Sequence, residues 1–171
     1  MKIVLLVVGK TDSKLMAQAT EEYIRRLSHY VSFEVEVIPD VRLGSKLSSE
    51  QQKDAEGREI LARLRPSDST VLLDERGREY SSMEFSAFLQ KKMLTGTRRM
   101  VFVIGGPYGF SPAVQEAVTD RISLSRMTFS HQMIRLFFTE QVYRAMTILN
   151  HEPYHHEYPC HYFESVSSPF S

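Results

Sequence analysis

Three short segments hold the residues best able to do chemistry. Gly105-Gly106-Pro107-Tyr108-Gly109 follows directly on the apolar run Met100 to Ile104. Glycines at such a place leave backbone N–H and C=O groups open to a ligand, with no Cβ in the way. Ligands of open α/β sheets lie beyond the carboxyl ends of strands. Pro107 and the spacing break the dinucleotide fingerprint G-x-G-x-x-G, and no Gly-Lys-Ser/Thr of a Walker loop is present. A tight turn is the plain alternative. The second segment, Ser123 to His131, alternates polar and apolar residues outside any helical period. It reads either as a strip that wraps an amphipathic ligand through backbone groups or as a connecting loop. The third, Asn150 to Glu157 with Cys160 and His161, gathers His151, His155, His156 and His161 beside aromatic residues. His151 and His155 have the spacing of a helical zinc pair, but Pro153 between them interrupts a helix. No metal is expected; an aromatic and histidine cluster better suits an RNA base or phosphate.

The elements that must position these segments alternate between two periods. Ile3 to Val8 is a continuous β-branched and leucine run, as in a strand covered on both faces. Helical spacing follows from about Ser13 to Tyr30, a strand over Phe33 to Ile38, and a helix over Ser48 to Leu64 with a serine cap. Thr70 to Leu73 is a short strand closed by Asp74-Glu75-Arg76-Gly77. A capping box at Ser81-Ser82-Met83-Glu84 opens a helix ending near Gly96. After the strand Met100 to Ile104, a short helix starts at Ser111-Pro112, where proline suits the first turn. Ile122 to Leu124 is a fifth strand. Ile134 to Leu149 is a long helix with Leu136, Phe137, Val142, Tyr143, Met146 and Leu149 inside. Strand–helix alternation at this spacing predicts an α/β single domain with a largely parallel sheet flanked by helices.

Composition sets the outer limits. The 171 residues suit one domain with a real core. Twenty-one basic residues balance twenty-one acidic ones, which argues against a uniformly basic nucleic-acid binder and leaves local patches open. The single cysteine excludes an intramolecular disulfide and any zinc site needing two thiolates, and a reduced, cytoplasmic setting fits. The run Ile3 to Val8 is too short to span a bilayer; no membrane association is expected.

Taken in order, Ile104-Gly-Gly-Pro-x-Gly-x-Ser-Pro112, Ser123-Leu-Ser-x-x-Thr128, His131-x-x-x-Arg135 with Glu140-x-x-Tyr-Arg-Ala145, and Pro153-Tyr-His155 closely resemble the small SPOUT-class methyltransferases. More narrowly, they resemble the family that methylates N3 of a pseudouridine in large-subunit rRNA. The resemblance covers residues 1–157, leaving 158–171 as a C-terminal extension. It implies a deep trefoil knot in the C-terminal part, a homodimer, S-adenosyl-L-methionine as cofactor, and rRNA of the assembled ribosome as partner. It places cofactor contacts on Leu73, Gly105, Gly106 and the run Leu124, Ser125, Arg126, Met127, Thr128 and Phe129, with Arg126 and Met127 contributing backbone only.

Methyl transfer from a sulfonium depends chiefly on positioning, and the weakly acidic N3–H calls for a base or a site that steadies the anion. Candidates are Tyr154, His155, Glu140 and Arg135. Histidine has the best ordinary pKa for a base near neutrality; arginine steadies negative charge instead. For Glu140 and Arg135 a salt bridge along the last helix is the alternative. Whether Tyr154 or His155 moves a proton or positions the base stays open. Arg25–Arg26, Arg42 with Lys46, Arg76 with Arg78, Lys91–Lys92 and Arg98–Arg99 are the charge sets available for RNA. A dinucleotide oxidoreductase and a non-enzymatic ribosome-binding factor are the rival readings.

Overall fold

The computed structural model describes residues 1–40 and 48–156; the Arg42–Lys46 pair, Cys160, His161 and the 158–171 extension lie outside them. β1 (Lys2–Val8), α1 (Lys14–Leu27), β2 (Ser32–Ile38), α2 (Ser49–Arg63), β3 (Ser69–Glu79), α3 (Ser82–Leu94), β4 (Arg99–Ile104), α4 (Pro112–Ala117), β5 (Arg121–Ser123) and α5 (His131–Leu149) follow in that order. The strands form one sheet, β2-β1-β4-β3-β5, parallel throughout.

Strand periodicity divides the core in two. Ile3, Leu5 and Val7 of β1 and Met100, Phe102 and Ile104 of β4 face α1, α3 and α5, where the Phe102 and Phe138 ring centroids lie 4.6 Å apart. Val4, Leu6 and Val8, with Val101 and Val103, face α2 and α4 through Ile60 and Val114. Covering on both faces accounts for the unbroken apolar runs of these two strands. The five helices begin on Ser13, Ser48, Ser81, Ser111 and Ser130, each side chain accepting from a backbone N–H of the first turn. The boxes Ser48–Gln51 and Ser81–Glu84 are closed from both sides.

Three expectations are corrected. The segment Asp74-Glu75-Arg76-Gly77 does not close β3. The strand slips register after Leu73 and resumes pairing with β5 at Arg78 and Glu79. Gly77 permits this, since a Cβ there would lie 2.5 Å from the Ile122 carbonyl carbon. α5 starts three residues earlier than its apolar period, because Ser130 caps it. Phe137, expected inside, is 39% exposed; the buried face of α5 runs through Arg135, Phe138, Val142 and Met146, and the Phe137 ring meets Phe129 instead.

Candidate functional site

The carboxyl ends of β3, β4 and β5 open into a cleft of roughly 630 Å³, within the range of small-molecule sites. The glycine loop forms its wall. Gly106 and Gly109 make an isolated antiparallel bridge, with Gly109 N–H donating to Gly106 C=O at 3.0 Å. Gly109 takes φ +77°, left-handed backbone that favours glycine. The loop is thus both a tight turn and a ligand-facing wall. Facing it is the 123–129 segment, pinned by Ser123 Oγ donating to the Ser125 carbonyl at 2.9 Å and by Met127 N–H donating to Ser125 Oγ at 2.9 Å.

Eight of the nine expected cofactor residues line this cleft: Leu73, Gly105, Gly106, Leu124, Ser125, Met127, Thr128 and Phe129. Arg126 does not; its side chain is 89% exposed and its Nε lies 3.5 Å from Glu79 Oε1. Tyr108 and His131, from the two segments singled out in the sequence, also line the cleft, as do Lys53 and Asp74, which received no role there. The wall leaves little room for a side chain. A Cβ on Gly105 would stand 3.2 Å from the Gly109 carbonyl and from the Phe110 ring, and one on Gly106 would overlap Glu56. A cradle of bare backbone beside Leu73, Leu124 and Phe129 fits a cofactor with a flat base and polar ends.

Tyr154, His155 and Glu140 are gathered elsewhere, on α5 and the turn beyond it. Glu140 lies nine residues along α5 from His131, about 14 Å at helical rise. Its Oε1 accepts from Arg144 Nη2 at 2.6 Å and from the Tyr154 hydroxyl at 3.0 Å, and its Oε2 accepts from Gln141 at 2.7 Å. The Arg144 guanidinium also lies over the Tyr154 ring, 4.9 Å from its centroid, and its Nη1 is 3.5 Å from His155 Nδ1. Tyr154 meets the Tyr143 ring edge-on at 4.8 Å and the Tyr23 hydroxyl at 3.4 Å. Burial, then the Tyr23 bond and the Glu140 charge, push the Tyr154 hydroxyl well above the ordinary tyrosine range, so it stays a donor.

Arg135 stands apart from this cluster. It is buried at the end of β1, where Nη2 donates to the Val8 carbonyl at 2.6 Å and Nη1 to Thr11 Oγ1 at 2.9 Å. Burial pulls its pKa down against the charges of Asp40 and Asp12. The salt bridge on α5 is Glu140–Arg144, not Glu140–Arg135, because four residues return a helix to the same face and five do not. Arg144 received no role from sequence, although its spacing from Glu140 was the available signal. Tyr23 and Tyr143, taken as core positions, are the others it missed.

The chemistry of the cluster follows from what each group has left to give. Both Glu140 oxygens are engaged. Arg144 Nη1 lies at the outer limit of hydrogen-bond distance from His155 Nδ1, and the role of each depends on the histidine tautomer. Among the described residues, His155 Nε2 is buried without a partner. The cluster therefore brings together a histidine ring, a tyrosine ring and a guanidinium, with the histidine Nε2 turned inward. Among the described residues no group of histidine, cysteine and carboxylate side chains could hold a metal, and no helix is long and apolar enough to cross a membrane.

Comparison with known proteins reports on the chain as a whole. A family model described as "Predicted SPOUT methyltransferase" matches residues 1–155. A protein of Porphyromonas gingivalis called ribosomal RNA large subunit methyltransferase H is 99% identical over 157 residues, covering 92% of this chain and all of that protein. Proteins of the same name from Parabacteroides distasonis and Christiangramia forsetii are 61% and 54% identical. The match spans 92% of this chain and 100% of the former, and 91% and 99% for the latter.

Proposed function

The chain belongs to the SPOUT methyltransferase family, and from that premise we propose that it methylates N3 of a pseudouridine in large-subunit rRNA, on assembled ribosomes, with S-adenosylmethionine as donor. Its class of activity is methyl transfer to rRNA of the large subunit, as its relatives' names state. The observation that carries the finer reading is the cleft itself. One wall is bare glycine backbone, the other is the 124–129 segment, and the two come together only because β5 lies beyond β3. Family membership also brings the expectation of a trefoil knot at this crossing and of a homodimer in the cytoplasm.

The cofactor would lie between Gly105–Gly106 and Leu124–Phe129 and supply an electrophilic methyl group on a cationic sulfur. The remaining work belongs to the chain. For the target N3 to accept that methyl group, its proton must leave. Both Glu140 oxygens are already engaged. In this reading the proton goes to water. The Arg144 charge steadies the anion on the uracil ring while Tyr154 and His155 hold its face, which is electrostatic stabilisation rather than base catalysis. Family membership also leads us to place the tail of one protomer at the cleft of its partner.

Mass mapping of rRNA methylation with and without the protein tests this reading. One methyl group gained at N3 of a pseudouridine is the expected result. Tight cofactor binding with no methyl transferred would overturn it in favour of a ribosome-binding role.

A further inference from the structure

Beyond the Tyr154–Glu140 contact, the tail is tied down a second time, outside the cluster. α5 ends at Leu149. His151 takes φ +56°, and Glu152 N–H returns to the Thr147 carbonyl at 2.9 Å, a left-handed helix ending that reverses the chain. The reversal brings Glu152 to the turn between α1 and β2, where the Tyr30 hydroxyl donates to its Oε2 at 2.6 Å. This bond, first among its causes, pushes the Tyr30 hydroxyl up to about 12, so the donor persists at any working pH. The Tyr30 ring meets Tyr143 edge-on at 6.0 Å, and the same Tyr143 ring carries Tyr154 at 4.8 Å. Tyr143 thus stands between the residue that holds Glu152 and the residue two positions further along the tail.

An exposed hydrogen bond of this kind adds little to folding once exchange with water is counted. Its larger effect is on the number of directions the tail can take. Each backbone residue left unfixed retains conformational freedom that must be given up when the target base is met. Between Thr147 and Tyr154 the Glu152 carboxylate is the side chain that ties the turn to another element. We infer that Tyr30 and Glu152 are a positioning pair: they fix the direction in which the tail leaves α5, and so set where Tyr154 and His155 meet the target base. The inference rests on the functional reading given above, in which those two residues face the RNA.

The test uses the full-length dimer, S-adenosylmethionine, and ribosomes from a strain that lacks this methyl mark. Tyr30→Phe removes the donor and keeps the ring on Tyr143; Glu152→Ala removes the acceptor; Glu152→Gln keeps an acceptor oxygen. The expected result is a kcat lower by about tenfold in Tyr30→Phe and in Glu152→Ala, with KM for the cofactor held within about twofold. The double variant should be no worse than either single change, as for two residues acting through one bond, and Glu152→Gln should recover most of the rate lost with alanine. A wild-type kcat in Tyr30→Phe, losses that add in the double variant, or a loss confined to cofactor KM would overturn the inference. So would thermal midpoints that fall in step with activity, since the pair would then be structural. No transfer by the unsubstituted protein would overturn the functional reading and the inference together, whereas normal transfer by both it and Tyr30→Phe overturns the inference alone.

Discussion

The Glu56 carboxylate stands directly behind Gly106, so close that a methyl group on the glycine would overlap its Oε2. Glu56 is 2% exposed. Its Oε1 accepts from Gln52 at 2.8 Å, while Oε2 has no donor in reach. The neighbouring Gly57 gives way to Ser111, the cap of α4. Through these two residues α2 is pressed against both ends of the glycine loop, and the loop has no slack on its inner side.

Gly106→Ala should therefore weaken binding of S-adenosylhomocysteine by at least about tenfold, as the loop shifts into the cleft to escape Glu56. Adding Glu56→Ala should restore part of the loss by opening space behind the loop. Titration calorimetry on the two variants checks this, and unchanged affinity in Gly106→Ala would remove the loop from the binding site.

Arg144→Lys retains the charge but loses the planar fork that reaches Glu140, Tyr154 and His155 together. A fall in kcat of about tenfold to a hundredfold is expected, with cofactor affinity unaltered. Steady-state kinetics with rRNA as the varied substrate would show it.

With the N3 proton lost to water, the reactive species is the uracil anion, so the rate rises with pH. Tyr154, held above the ordinary tyrosine range, stays a donor throughout. Log kcat should climb in proportion to pH across neutrality. A plateau setting in near pH 6.5, the ordinary value for histidine, would instead make His155 the base.

A site shared between protomers gives a definite result on mixing. Gly105→Arg fills the cleft, and Tyr154→Ala with His155→Ala strips the tail; each is inactive alone. In a mixed dimer one site carries both defects and the other carries none, so activity returns to one site per dimer. Verified mixed dimers with no activity would assign each cleft to its own tail.

Legibility from sequence differed by element for physical reasons. β1, β4 and the caps at Ser48, Ser81 and Ser111 could be read because strand burial on both faces and capping are written in consecutive residues. The nine cofactor positions came from resemblance, and the cleft gathers all but Arg126, whose long charged side chain belongs to solvent. The β3 extension was not legible: Asp-Glu-Arg-Gly has turn composition, and only the approach of Ile122 to Gly77 shows that a strand resumes there. The separation of Arg135 from Glu140, Tyr154 and His155 was not legible, because an arginine beneath a strand end is fixed by carbonyl and hydroxyl partners far away in sequence. Periodicity carries no information about such partners.

The place of β4 between β1 and β3 has a bearing on how this chain is made. β1 is translated first, yet the strand that fills its second edge is residues 99–104, and every residue of that strand is buried. At roughly 5–20 residues per second, the ribosome delivers Ile104 about 5–20 seconds after Val8. Throughout that interval β1, one of the most apolar segments of the chain, has an unpaired edge and no complete core on either face. Nascent chains stalled short of residue 104 should accordingly engage holding chaperones, and those stalled well beyond it should be released from them.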